Sequence, residues 1–184
     1  MTKVLYIYGY GGSHLSSSPQ KLRKILNAQD FLVLCVDYPQ EDCAKALAFL
    51  QQYVIDEGID IVMGSSLGAF LSLCLDVDVP KVIVNPCLVP TVELPKLQPL
   101  PGKPHPTAAM VQSYAVFEEQ AFDHVTPQTI CFMADEDELL GTQYRPAMQA
   151  QMPIVVIPGG HRISDEAMAI IAEHIVRVAN GKGQ

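Results

Sequence analysis

The sequence predicts an α/β fold: a mostly parallel six-stranded sheet with helices on both faces. Three observations point there. Short, nearly continuous apolar runs rich in β-branched residues recur along the chain, as strands buried on both faces require. Helical patterns with one apolar side stand between them. Glycine-rich or acidic turns follow several runs at their carboxyl ends, where open α/β sheets place their sites. The chain has 184 residues, 49% of them apolar, enough for one sizeable core, so residues 1–184 are expected to form a single domain.

The elements follow in order. Lys3 to Tyr8 reads as the first strand. Ser18-Pro19 then supplies a cap residue and a proline at the first helical position, and Leu22, Ile25 and Leu26 give one apolar face, so a helix is expected over about 19–28. Phe31 to Val36 is the second strand. The segment Asp42 to Asp56 carries Ala44, Leu47, Ala48 and Leu50 in helical register. Ile59 to Met63 is the third strand, followed by the apolar stretch Leu67 to Leu75, and Lys81 to Val84 is the fourth. From Asn85 to about Phe122 the alternation breaks. Seven prolines fall between Pro86 and Pro106, and a helix is expected from Thr107 to Phe122. Residues 86–122 read as a small Pro-rich lid insertion over the sheet, since long ordered loops are commonly functional; a stiff surface connection is the alternative. Gln128 to Met133 and Pro153 to Ile157 are the last two strands. The final helix begins near Ser164, with Asp165 and Glu166 complementing its dipole and Met168, Ile171, Ala172, Ile175, Val176 and Ala179 on its apolar face.

A net charge of -8 and a pI near 4.9 argue against a nucleic-acid partner. The one basic cluster, Lys21-Leu22-Arg23-Lys24, suits a solvated helix face. No stretch reaches the roughly 20 apolar residues of a membrane span, and the run Val4 to Tyr8 is too short for a signal-peptide core, so a soluble cytoplasmic protein is expected. The five cysteines, Cys35, Cys43, Cys74, Cys87 and Cys131, lack C-x-x-C spacing and mostly sit in apolar runs, as buried reduced thiols do. Nothing in the sequence sets the oligomeric state.

The chemistry concentrates in four places. Gly64-Ser65-Ser66-Leu67-Gly68 reads G-x-S-x-G between an apolar strand and an apolar helix, the context of a nucleophile elbow. Its glycines are required where a Cβ would strike the neighbouring strand or helix, and Ser66 is the candidate nucleophile. Tyr8-Gly9-Tyr10-Gly11-Gly12-Ser13 follows the first strand. In acyl transfer, such a loop and the residue after the nucleophile supply the two amides that hold the oxyanion, here Tyr10 and Leu67. A dinucleotide fingerprint competes for this loop, but its third glycine would fall at His14, and Asp37 matches the expected acid only loosely. Ala134-Asp135-Glu136-Asp137-Glu138 places four acids directly after a strand. One of them should orient a catalytic histidine, because a carboxylate fixes the imidazole tautomer and stabilises the imidazolium. Pro158-Gly159-Gly160-His161 presents a histidine on a flexible turn before the last helix, and His161 is the candidate general base. His105, His124 and His174 lie in less suitable positions, and His14 could approach from the first loop.

These residues together make the chain resemble an α/β-hydrolase, and within that superfamily the small YqiA-like group of bacterial esterases. The likeness runs through most of the chain. It is carried by Leu5-Tyr6-Ile7-Tyr8-Gly9-Tyr10 with Ser18-Pro19-Gln20-Lys21, by Gly64-Ser65-Ser66-Leu67-Gly68, by Asn85-Pro86-Cys87-Leu88-Val89-Pro90 and by Gly159-Gly160-His161. The resemblance implies a compact α/β-hydrolase fold and hydrolysis of a small-molecule carboxylic ester or thioester through an acyl-serine, with no metal or organic cofactor. It selects Asp137 as the triad acid, with Asp135 in reserve; Glu136 and Glu138 read as residues of a solvated loop or a helix N-terminus. The group carries His-Gly where this chain has Tyr8-Gly9. Tyr8, Gly11, Leu88 and Val89 are candidate pocket residues, and Leu94, Leu97, Leu100, Met110 and Val111 add apolar surface from the insertion. Two rivals share these residues: a binding module that kept the fold without the chemistry, and an acyltransferase with the same triad. A flavodoxin-like nucleotide binder would leave Ser66 and His161 without a role.

Overall fold

The computed structural model describes residues 1–27, 29–98, 102 and 104–181. Six strands, β1 (Thr2–Ile7), β2 (Phe31–Leu34), β3 (Ile61–Ser65), β4 (Lys81–Val84), β5 (Thr129–Ala134) and β6 (Ile154–Ile157), form one sheet in the order β2-β1-β3-β4-β5-β6. Every pairing is parallel. The register sets Ile7 beside Gly64, Ser65 beside Val84 and Ala134 beside Ile157, so the carboxyl ends of five strands come level.

Seven helices are described: α1 (Ser17–Leu26), α2 (Cys43–Glu57), α3 (Leu67–Cys74), α4 (Pro90–Glu93), α5 (Ala108–Glu118), α6 (Arg145–Gln149) and α7 (Asp165–Ala179). Side chains alternate across the sheet. Val82, Val84, Phe132 and Ala134 join the larger apolar cluster, which also holds Leu22, Leu26, Ile171 and Ile175 of α1 and α7. Their neighbours Ile83, Cys131 and Met133 join a second cluster with Ala69, Leu73, Met148 and Met152. Both faces of β4 and β5 are therefore covered, which explains why these strands read as unbroken apolar runs. Lys81, fully buried at the start of β4, donates to the carbonyl of Leu75 (2.5 Å), just beyond α3, and to that of His124 (2.9 Å), in the connection before β5.

Several boundaries differ from the sequence expectation, for local reasons. α1 starts at Ser17, so Ser18 lies inside the helix rather than capping it, while Pro19 stays in the first turn, where its missing amide costs nothing. β1 stops at Ile7 and β2 at Leu34, releasing Tyr8 and Asp37 into loops. β3 begins at Ile61 and extends through Ser65. The segment expected to be irregular contains α4 and a 3-10 turn, Leu94–Lys96, while α5 ends at Glu118 instead of Phe122. α6 had no counterpart in the sequence reading. Leu100 lies outside the described residues. α5 is tied to the region after β2: the Tyr114 hydroxyl donates to the Gln40 carbonyl (2.8 Å), and the Cys43 amide donates to Ser113 Oγ (3.1 Å). Among the described residues, no helix is long and apolar enough to cross a membrane.

Candidate active site

Ser66 sits between β3 and α3 with φ 56° and ψ -120°, a backbone conformation that side chains rarely adopt. The packing explains the strain. A Cβ at Gly64 would run into the Gly68 carbonyl and Ser72 Oγ, and one at Gly68 would run into the carbonyls of Ile7 and Tyr8. Strand and helix thus approach as closely as two glycines permit. The turn is fixed on both sides: the Ser66 amide donates to Val84 (3.0 Å), and its carbonyl accepts from Ala69 (3.1 Å) and Cys87 (3.2 Å). Leu67 begins α3, where an amide has no partner within its own helix.

The structure brings Ser66, His161 and Asp137 together. His161 Nε2 lies 3.0 Å from Ser66 Oγ, and His161 Nδ1 lies 2.9 Å and 3.1 Å from the two oxygens of Asp137. An ionised carboxylate only accepts, so Nδ1 carries the proton and Nε2 is left to take one from serine. Burial by itself would raise the Asp137 carboxyl. Hydrogen bonds from His161 and from the amides of Leu140 (2.9 Å) and Leu139 (3.0 Å) outweigh it and hold the group below its ordinary value. Asp135 has a different task, accepting the Gly159 amide at 2.9 Å.

Two further residues position His161, and sequence reasoning missed both roles. Glu138 was assigned to a solvated loop or a helix N-terminus, yet it accepts the His161 amide at 2.8 Å. A Cβ at Gly160 would collide with the same carboxylate, so Gly160 is what lets Glu138 close in. Asn85 is buried, with a positive φ of 43°; its Oδ1 accepts from Ala134 (2.8 Å) and its Nδ2 donates to the His161 carbonyl (3.2 Å). It clips the histidine loop to the end of β5. The Asn-Pro pair directly after a strand was the available signal.

On the other side of Ser66 lies the first loop. A Cβ on Gly9 would stand 2.9 Å from Ser66 Cβ, so the loop backbone is pressed against the serine. Gly12 donates to Gly9 (3.0 Å), and Gly11, at φ 70°, donates to Gln40 Oε1 (3.0 Å). The tyrosine that stands where the related group has histidine anchors this loop. Tyr8 donates to Asp37 (2.9 Å), which also takes the His14 amide (2.9 Å) and pairs with its ring (2.7 Å), while Tyr38 donates to the Tyr8 carbonyl (2.6 Å). Asp37 and His14 are thereby committed to loop structure. His105 bonds within residues 97–106, His124 pairs with Asp76, and His174 packs edge-on against Phe132.

A cavity of about 420 Å³ opens over Ser66 and His161, with Tyr8, Tyr10 and Gly11 in its wall. A smaller one of about 60 Å³ adjoins it across Tyr10. Leu88 and Val89, expected in the pocket, line neither: Leu88 is buried in the second apolar cluster and Val89 packs on it. The chain after Cys87 turns toward β4 and α3, and the apolar pocket residues from the insertion are Leu94 and Leu97 instead. Among the described residues, no group of three or more His, Cys, Asp or Glu could hold a metal ion.

Comparison with solved structures returns α/β-hydrolase folds. Est1E from Butyrivibrio proteoclasticus with ferulic acid bound is 16% identical, with a TM-score of 0.74 over 99% of this chain and 89% of the other. A monoacylglycerol lipase from Paleococcus ferrophilus is 15% identical, with a TM-score of 0.73 over 95% and 93%. The esterase domain of a Rhodothermus marinus protein is 18% identical, with a TM-score of 0.70 over 98% and 87%. No curated protein matches. The model of one family matches residues 3–172, nearly the whole length, and the chain therefore belongs to the uncharacterised protein family UPF0227, the YqiA-like group within the α/β-hydrolase fold.

Proposed function

We propose that this protein is a serine hydrolase that cleaves a carboxylic ester or thioester of a small molecule, acting as one domain over residues 1–184. The observation that carries the reading is the unbroken set of contacts from Ser66 Oγ through His161 to Asp137, mounted on a strained elbow. Ser66 attacks the acyl carbonyl while His161 Nε2 takes its proton. The amides of Leu67 and Tyr10 bind the oxyanion. His161 then protonates the departing alcohol or thiol, and water activated by the same nitrogen releases the acid from Ser66. Asp137, kept ionised, stabilises the imidazolium at each transfer. The segment 86–122 serves as the lid: it contributes Leu94 and Leu97 beside the serine, and the Tyr10 hydroxyl donates to the Pro104 carbonyl. The structural neighbours named as esterases and a lipase support the same class.

The test is intact mass after exposure to a fluorophosphonate. One adduct on the wild type and none on Ser66→Ala is the expected result, together with a fall in turnover on the order of a million-fold. A folded wild-type protein that takes no adduct would overturn the proposal in favour of a binding module. Product analysis with an added acceptor alcohol separates hydrolysis from acyl transfer.

A further inference from the structure

Two compartments open on Ser66, and their chemistry differs. The smaller is walled mainly by Cys87, Leu94, Leu97, Leu139 and Leu140, with Glu93 and Lys96 at its edge already paired with each other at 3.1 Å. This is a place for the apolar start of an acyl group. The larger is lined by Ser65, Glu138, Arg162, Tyr8 and Tyr10, with Ser16 and Ser18 also in its wall.

Ser65 is prepared as a donor. Tyr6 is buried beneath it and donates its hydroxyl to Ser65 Oγ at 2.9 Å. Burial pushes that phenol up to about 12, so it keeps its proton across the physiological range. With Oγ accepting from Tyr6, the Ser65 proton is left to point away, and among the described residues no acceptor takes it. Ser65 directly precedes the nucleophile and lines the same cavity. Arg162, next to His161, carries no salt bridge among the described residues. Glu138 spends one lone pair on the His161 amide and has others to offer.

One guanidinium and one carboxylate on the same wall offset each other, which does not favour a net anion. Donors and acceptors interleaved against aromatic rings suit a neutral ring of hydroxyls, whose C–H faces lie on tyrosine. An apolar alcohol would strip water from these groups and leave them unpaired. We propose that the larger compartment binds the alcohol half of the ester, and that this alcohol is a neutral polyol of monosaccharide size, read by Ser65, Glu138 and Arg162. The inference rests on the serine-hydrolase reading above.

The experiment compares kcat/KM for three esters with one acyl group: glucose 6-butyrate; cyclohexylmethyl butyrate, which keeps the ring and lacks the hydroxyls; and the butyrate ester of glycolate, an anionic alcohol. Fluorophosphonate labelling of Ser66 runs in parallel. The sugar ester is expected to exceed the cyclohexyl ester on the order of tenfold or more, as a few satisfied hydrogen bonds imply. Ser65→Ala and the exposed Arg162→Gln should each shrink that ratio several-fold, on the order of one hydrogen bond apiece. Labelled enzyme that prefers the cyclohexyl or the glycolate ester, or whose ratio neither variant moves, would overturn the inference and leave the hydrolase reading intact. Absence of labelling would remove both.

Discussion

The loop from Tyr8 to His14 and the loop from Pro158 to Ser164 reach Ser66 from opposite sides of β3, and they are held by different means. The first loop brings its backbone to the serine and is restrained in large part through its own side chains, the Tyr8 hydroxyl and His14 ring on Asp37 and the Tyr10 hydroxyl on the Pro104 carbonyl, while Tyr38 and Gln40 add bonds to its backbone. The last loop brings a side chain and is restrained through its backbone. Asp135 takes the Gly159 amide, Glu138 takes the His161 amide, Asn85 gives to the His161 carbonyl, and Lys21 gives to the Ile163 carbonyl (3.0 Å). In the proposed mechanism the first loop gives its amides to the oxyanion, which leaves its side chains spare for anchoring. The proposed general base needs its ring unencumbered, so its peptide groups take the load. The two loops should therefore fail differently under substitution.

The largest effect is expected where the last loop meets its carboxylates. Asp137→Asn keeps the shape and removes the charge that fixes the imidazole, and turnover should drop about 10⁴-fold. Asp135→Asn touches only a backbone amide of the loop and should cost about tenfold or less, in keeping with one exposed hydrogen bond. Steady-state kinetics on a reactive ester decide between them. If the losses came out in the reverse order, Asp135 would be the triad acid and the contacts of His161 would have to change in solution.

The first loop should be most sensitive at a position with no side chain. Gly9→Ala puts a Cβ 2.9 Å from Ser66 Cβ, so loop and serine must separate and the Tyr10 amide moves with the loop. Losing one oxyanion donor costs about 10²- to 10³-fold in turnover. The loss should fall on kcat, with labelling by fluorophosphonate slowed in parallel. A variant with unchanged kcat would show that the Tyr10 amide does not face the oxyanion.

The elbow was legible in the sequence because its steric demand is written locally: glycines at positions 64 and 68 and a serine between them state how near strand and helix must come. The central strands were legible because burial on both faces leaves no polar alternation to confuse them, and the part-exposed edge strands β2 and β6 because they stay apolar throughout. Asn85 and Glu138 were not, since their work depends on partners 76 and 23 residues away that only the closed sheet brings near. Leu88 and Val89 were placed in the wrong compartment for a related reason. An apolar residue after a strand carries no periodicity to say whether it faces the cleft or the core, and here the Cys87 amide, bonded to Ser66, turns the following chain inward. α4 and α6 span 4 and 5 residues, too short for a helical pattern to emerge.

The smallest effect concerns how the first loop is anchored, and it is separable by pH. Asp37 is held below its ordinary carboxylate value chiefly by the His14 amide, with further help from the His14 ring and the Tyr8 hydroxyl. A carboxyl lowered on folding stabilises the fold above its unfolded value near 3.9 and loses that contribution as pH falls through the still lower folded value. The Asp37 side chain is 57% exposed, so solvent screening keeps the contribution under about 1 kcal/mol. Tyr8→Phe removes one donor to that carboxylate and leaves the Tyr38 and Gln40 anchors in place. The variant should unfold about 0.5–1 kcal/mol more easily at pH 7 and lose less than tenfold in turnover, a limit of about 1.4 kcal/mol in the transition state. The stability difference should narrow when denaturation is repeated at a pH below the folded value of Asp37, where protonation weakens the acceptor in the wild type as well. A difference of equal size at both pH values would mean that the hydroxyl acts without the charge of Asp37. No difference at either pH would mean that the loop is held by the packing of the Tyr8 ring on Tyr38, whose centroids lie 4.9 Å apart and which phenylalanine preserves.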